Sequence, residues 1–128
     1  MDQRKIRTFA QGYRKVVKYG NRKVETEDGT FDSVKEFSRW QELKLLQRAG
    51  EIHDLQRQVP FVLIPKQKDE RGKVIERELK YIADFVYLAN DGTGWRRVVE
   101  DVKGMKTEVY RIKKKMMLYR NGIRIQEV

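Results

Sequence analysis

Strand-like alternation is concentrated in Tyr81-Ile82-Ala83-Asp84-Phe85-Val86-Tyr87 and in Arg96-Arg97-Val98-Val99-Glu100-Asp101-Val102-Lys103-Gly104. β-Branched and aromatic residues dominate both, as a pleated and half-buried surface requires. Between them Asn90-Asp91-Gly92-Thr93-Gly94 has turn chemistry, so the pair predicts an antiparallel hairpin.

On either side the periodicity turns helical. Val34, Phe37, Trp40, Leu43 and Leu46 predict the buried stripe of a helix from Asp32 or Ser33 to Ala49, closed by Gly50. Ser33-Val34-Lys35-Glu36 opens it as a capping box, with Glu36 reaching back to the cap's own N–H. Upstream, Glu27-Asp28-Gly29 marks the turn of a small hairpin between Lys23 and Phe31. Downstream, a strand from Val59 to Ile64 ends at Pro65, and a charged loop from Lys66 to Lys73 leads into the long strand. Thr107 is the expected N-cap of a helix reaching Arg120, with Val109, Ile112, Met116 and Tyr119 as its apolar stripe. Asn121-Gly122 ends that helix. Ile123, Ile125 and Val128 then alternate with Arg124 and Glu127 as a last strand.

Composition adds a partner class. The chain has 128 residues and a formal net charge of +10, enough for one ordinary domain and suited to a polyanion. Nucleic acid is the first candidate and an anionic membrane surface the second. Positive charge gathers in Met1 to Lys23, where Arg4, Lys5, Arg7, Arg14, Lys15, Lys18, Arg22 and Lys23 face a single acid, Asp2. This reads as a basic arm, with Tyr13 and Tyr19 placed to stack on bases. The division expected is a basic arm and small hairpin over 1–30, then one domain over 31–128. No cysteine is present, so disulfides and cysteine-based zinc sites are excluded. His53 has no second His or Cys to complete a ligand set and reads as a surface or loop residue. No apolar run is long enough for a signal peptide or a membrane span, so a cytoplasmic protein with no membrane partner is expected.

The candidate chemistry lies in the central hairpin. Alternation puts Asp101 and Lys103 on one face and Glu100 on the other, while a bulge would turn Glu100 inward instead. Asp84 shares its face with Ile82 and Val86, where an unpaired carboxylate costs several kcal/mol (roughly), so a cation or metal partner is expected. Two carboxylates and a lysine on one sheet face suit phosphodiester chemistry with a divalent metal. The bland account of each acid taken alone is a solvated strand residue.

The order α-β-β-β-α-β, an acid opening the first helix, Ala83-Asp84-Phe85 in the second strand and Glu100-Asp101-Val102-Lys103-Gly104 in the third resemble the PD-(D/E)XK nuclease superfamily. Over residues 31 to 128, with Phe31-Asp32-Ser33-x-x-Glu36 included, the chain also resembles a small phage-encoded, Holliday junction resolvase-like nuclease family within it. Ala83 replaces the name-giving proline, and Asp101 rather than glutamate precedes x-Lys. The resemblance implies an α/β, restriction-endonuclease-like αβββαβ core, a mixed central sheet flanked by helices. It implies Mg²⁺, with Mn²⁺ able to substitute, held by Asp84, Asp101 and the Val102 carbonyl, and Lys103 acting on the attacking water and the scissile phosphate. Glu36 matches a further metal acid, in competition with its capping role. Ser33, Gln58 and Glu100 form a second tier. Lys106, Arg111, Lys113 and Lys114, with Arg14, Lys15, Arg22 and Lys23 of the arm, are the expected DNA contacts. The implied function is a Mg²⁺-dependent DNA endonuclease acting on branched or four-way DNA in phage or prophage recombination, as a homodimer in the host cytoplasm. The alternative is a noncatalytic DNA-binding accessory protein on the same fold.

Overall fold

The Glu27-Asp28-Gly29 signal makes the expected hairpin, in which β1 (Val24–Thr26) pairs antiparallel with β2 (Gly29–Phe31). Gly29 takes φ 116°, a backbone state that favours glycine, and the Asp28 N–H donates to Thr26 Oγ1 at 3.1 Å. These elements belong to a computed structural model that describes residues 22–128. The chain divides into two compact units, one ending at Leu45 and one spanning Leu46–Val128. Arg14, Lys15, Tyr13 and Tyr19 lie outside the described residues.

Helix α1 (Val34–Arg48) follows the hairpin. The Glu36 N–H donates to Ser33 Oγ at 3.1 Å, and Glu36 Oε1 accepts the Asp32 N–H at 3.2 Å. This is a capping box whose return bond reaches one residue earlier than the cap itself. Within the first unit Phe31 is fully buried, with the Phe37 ring 5.2 Å away edge-on and the Trp40 ring at 6.1 Å. Asp28 accepts from Trp40 Nε1 at 3.0 Å and from Lys44 Nζ at 2.8 Å, tying helix to turn. Of the expected stripe Leu43 is buried, whereas Val34 and Leu46 are exposed. Gly50, at φ 81°, ends the helix as expected.

The second unit holds a four-stranded sheet of order β3 (Ile52–Ile64), β6 (Leu79–Asn90), β7 (Trp95–Asp101), β8 (Gln126–Glu127). β3, β6 and β7 run antiparallel, while β8 joins β7 in parallel after a crossover through α2 (Glu108–Asn121). Together with α1 this gives a mixed α/β fold with a mixed sheet and two helices among the described residues. The loop expected from Lys66 to Lys73 carries a two-stranded ladder, β4 (Gln67–Lys68) with β5 (Val74–Glu76). β3 starts seven residues before the expected Val59, because a bulge between His53 and Gln56 lets the strand continue through a segment with no clean alternation. Pro60 is tolerated because β3 is an edge strand and an edge can spare a donor.

Leu63, Tyr81, Ala83, Val86, Val99, Tyr110, Met117 and Ile125 form the core of this unit. Tyr81 and Ala83 enter it on odd positions and Val86 on an even one, so the alternation of β6 changes parity around Asp84. The expected shared face of Ile82, Asp84 and Val86 is therefore broken: Ile82 is 47 % exposed while Val86 is buried. On α2 the expected caps are present: Thr107 Oγ1 accepts the Tyr110 N–H at 3.1 Å, and Gly122 closes the helix at φ 65°. Of the expected stripe only Met116 packs against the core. Val109 is 60 % exposed, Ile112 55 % and Tyr119 89 %, and the buried pair is Tyr110 and Met117. The helix is turned by one residue, about 100°, relative to the pattern. Tyr110 explains the choice, since its hydroxyl finds a carboxylate on β8 and its ring joins the core.

Candidate functional site

In the β6–β7 ladder Phe85 faces Glu100, and the same register continued by one residue sets Asp84 across from Asp101. On the other side of β7 the parallel pairing places Glu127 beside Asp101. On the other side of β6, Gln58 falls between the pairs Arg57–Phe85 and Val59–Ala83, opposite Asp84. A row of polar residues, Gln58, Asp84, Asp101 and Glu127, thus crosses the sheet from β3 to β8.

Each member has defined contacts. Asp84 Oδ2 accepts the Val102 N–H at 2.8 Å, and its Oδ1 accepts from Gln58 Nε2 at 3.4 Å. Gln58 reaches it from a backbone at φ 55°, where a non-glycine residue is uncommon. Asp101, buried, accepts from the Tyr81 hydroxyl on Oδ2, and Lys103 Nζ lies 3.1 Å from its Oδ1. β7 stops at Asp101, so Lys103 comes from the following loop and not from the strand itself. Its position is held by its N–H bond to the Val128 carbonyl at 3.3 Å, next to the Val128 N–H bond to the Asp101 carbonyl at 3.0 Å. The Lys103 ammonium also stands 4.1 Å from the centre of the Tyr110 ring.

The third carboxylate, Glu127, is a hub. Its Oε2 accepts from the Tyr110 hydroxyl at 2.7 Å and from Lys114 Nζ at 2.9 Å, and its Oε1 faces Lys106 Nζ at 2.9 Å. The Tyr110 bond, then those from Lys106 and Lys114, pull its carboxyl down to about 2. Burial first, and then the bond to Asp101, pushes the Tyr81 phenol well above its ordinary value. Burial and the bond to Glu127 do the same for Tyr110. Both tyrosines therefore remain hydrogen-bond donors throughout the ordinary pH range, each fixing one carboxylate.

The remaining candidates are distributed as follows. Glu100 is fully buried on the other side of β7 from Asp101, where the Tyr87 hydroxyl donates to it, so the alternation that selects Asp101 holds. Glu36 and Ser33 lie in the first unit, in the capping contacts described above. Lys106 and Lys114 are bound to Glu127, whereas Arg111 is exposed and Lys113 half-buried on α2. Arg22 and Lys23 are exposed, and Lys23 Nζ is 3.7 Å from Asp32. His53 is exposed on β3, its ring 4.5 Å from that of Trp95.

Among the described residues no group of three or more His, Asp or Glu side chains gathers in a metal-binding arrangement. Asp84 and Asp101 nevertheless supply the donor chemistry of a hard cation, and Mg²⁺ is commonly held by one or two carboxylates with water and substrate oxygens completing its shell. Tyr81, Tyr110 and Glu127 are the members that sequence reasoning missed. Two tyrosines and a C-terminal-strand acid are unremarkable in a pattern; the parallel β7–β8 pairing brings Glu127 to the row, the rotation of α2 brings Tyr110, and Tyr81 reaches Asp101 from β6 itself.

No helix among the described residues is long and apolar enough to cross a membrane. Comparison with curated proteins gives no significant match, and neither does comparison with solved structures. Residues 16–126 match DUF1064, described as a protein of unknown function, and the chain belongs to that family.

Proposed function

We propose that this chain is a Mg²⁺-dependent DNA endonuclease with a restriction-endonuclease-like core. One observation carries the reading: two carboxylates from neighbouring strands, Asp84 and Asp101, share a site with an ammonium, Lys103, that stands 3.1 Å from Asp101. Asp84 and Asp101, with the Val102 carbonyl, would hold the metal, which when bound stabilises charge on a phosphoryl oxygen and makes a water acidic. Tyr81 keeps Asp101 turned into the site. Lys103 orients the attacking water and offsets charge that develops on the scissile phosphate. The net charge of +10 supplies affinity for the backbone without sequence reading. A short basic chain of this kind suits recognition of DNA by shape, and branched or four-way DNA in phage recombination is the proposed substrate. Cutting both strands of a junction takes two sites, so a homodimer accompanies that substrate.

A noncatalytic DNA-binding role is the second reading, favoured by the engagement of both Asp101 oxygens, one by the Tyr81 hydroxyl and one by Lys103. One assay separates the two. Labelled duplex, nicked, forked and four-way DNA are incubated with the protein in Mg²⁺ or Mn²⁺, with EDTA and Asp84→Asn as controls. Cleavage that requires metal and is lost in Asp84→Asn, with DNA binding kept, supports the endonuclease. Binding without cleavage of any substrate supports the accessory role, and cleavage in EDTA or by Asp84→Asn removes the assigned site.

A further inference from the structure

Tyr110 has two bonds that point in different directions. Its hydroxyl is held by Glu127 at 2.7 Å, and its ring lies against the Lys103 ammonium at 4.1 Å. Lys103 follows the end of β7 and has a long, rotatable stem, so its ammonium has several positions open to it. The ring has a fixed hydrogen-bond partner and a packed surround. It is buried in the core, one turn into α2, beside the Tyr81 ring at 6.4 Å. Glu127 in turn is gripped by Lys106 and Lys114.

We propose that Tyr110 is a positioning residue whose ring, anchored through its hydroxyl to Glu127, seats the Lys103 ammonium beside Asp101. The proposal rests on the endonuclease reading for its catalytic consequence. An ammonium above an aromatic face is attracted by the ring quadrupole, most strongly where water is partly excluded. Lys103 is mostly buried there and keeps a second face towards Asp101. The ring removes rotamers in which Lys103 swings to solvent, and an ordered ammonium is what a phosphate or an attacking water needs in place before reaction. The same arrangement gives Lys106 and Lys114 a structural task. They hold Glu127, Glu127 holds Tyr110, and Tyr110 holds Lys103.

The test reads position and turnover separately. Protein labelled with [¹³C,¹⁵N]-lysine is compared by NMR as wild type, Tyr110→Leu and Tyr110→Phe, with Lys103→Arg assigning the signal. In wild type the Lys103 ε-methylene protons should lie upfield of those of exposed lysines, under the ring current. Tyr110→Leu should return them to the exposed position and lower kcat about tenfold, with KM within about twofold, in line with a partly desolvated cation–π contact. Tyr110→Phe keeps the ring but frees it from Glu127, and should give a smaller upfield shift and a kcat between those of wild type and Tyr110→Leu. If the leucine variant does not fold, the phenylalanine variant still decides, because a signal and kcat unchanged from wild type there defeat the anchoring through Glu127. An unshifted Lys103 in wild type, a shift that survives Tyr110→Leu, or a defect confined to KM overturns the inference. A wild type that cleaves nothing while Lys103 stays ring-shifted defeats the endonuclease reading and supports the seat.

Discussion

Replacing Glu127 by glutamine tests how much the hub at the end of β8 contributes to folding. The side chain keeps its size and an oxygen for the Tyr110 hydroxyl, but loses its charge. A hydrogen bond to a charged group contributes about 1.5–3 kcal/mol and a neutral one about 0.5–1.5, so the Tyr110 contact should weaken by about 1 kcal/mol. Lys106 and Lys114 are each nearly half exposed, and pairs of that kind contribute about 0.2–1 kcal/mol apiece. Glu127 is only 19 % exposed, which favours the upper half of that range. The sum is about 2.5 kcal/mol, or a fall in Tm of roughly 7–12 °C for a chain of this size. Its pH dependence has a definite sign. The folded-state carboxyl lies at about 2, below its ordinary value of 4.5, so the stabilisation is complete above about pH 5 and fades as pH drops from 4.5 through 2. Urea unfolding of both proteins at intervals from pH 7 to pH 2.5 gives the difference directly, and repetition in 1 M salt isolates the screened ion-pair part. The reasoning fails if Glu127→Gln costs less than about 0.5 kcal/mol at pH 7, or if the difference is as large at pH 2.5 as at pH 7.

Two further outcomes follow from the remaining contacts. Glu36→Ala should cost on the order of 1 kcal/mol through loss of the cap and lower Tm accordingly, while Glu36→Gln keeps an acceptor for the Asp32 N–H and should melt close to wild type. A glutamine variant that melts normally but cleaves about tenfold more slowly would instead assign Glu36 to the metal set. On α2, Arg111→Ala with Lys113→Ala should flatten the slope of log K for DNA against log salt by about one to two units. An unchanged slope in binding assays from 50 to 300 mM salt (roughly) would show that these residues meet no phosphate.

Much of the fold could be read from local chemistry. Ser33 with Glu36, Thr107, Gly50 and Gly122 are helix ends with side-chain or backbone signatures, and each acts within four residues of itself. The same holds for the hairpin turn at Gly29. Asp84, Asp101 and Lys103 were legible as candidates because an acid amid apolar strand residues and Asp-x-Lys at a strand end are unusual in themselves. What escaped depends on long-range pairing. The parity change around Asp84 goes with Gln58 on the neighbouring strand, whose positive φ has no marker in the sequence. The face of α2 could not be chosen from spacing, because Val109-Ile112-Met116 and Tyr110-Met117 are both helical repeats. Glu127 decides between them, and its place beside Asp101 exists only after β8 has crossed over to join β7.

The margins of the sheet bear on how copies of this chain would meet. At one margin, β3 carries Pro60, which has no N–H, and two non-glycine residues at positive φ, Asp54 and Gln58. At the other, β8 is two residues long. Among the described residues, Pro60 and the two positive-φ positions interrupt the outer edge of β3 and β8 offers only two residues, devices that make edge-to-edge pairing harder. Association by continuing the sheet from one copy into the next is thereby disfavoured. Copies that did pair would meet through side-chain surfaces, whose complementarity ends at the pair, and not through a ladder of peptide groups that could be extended into a filament.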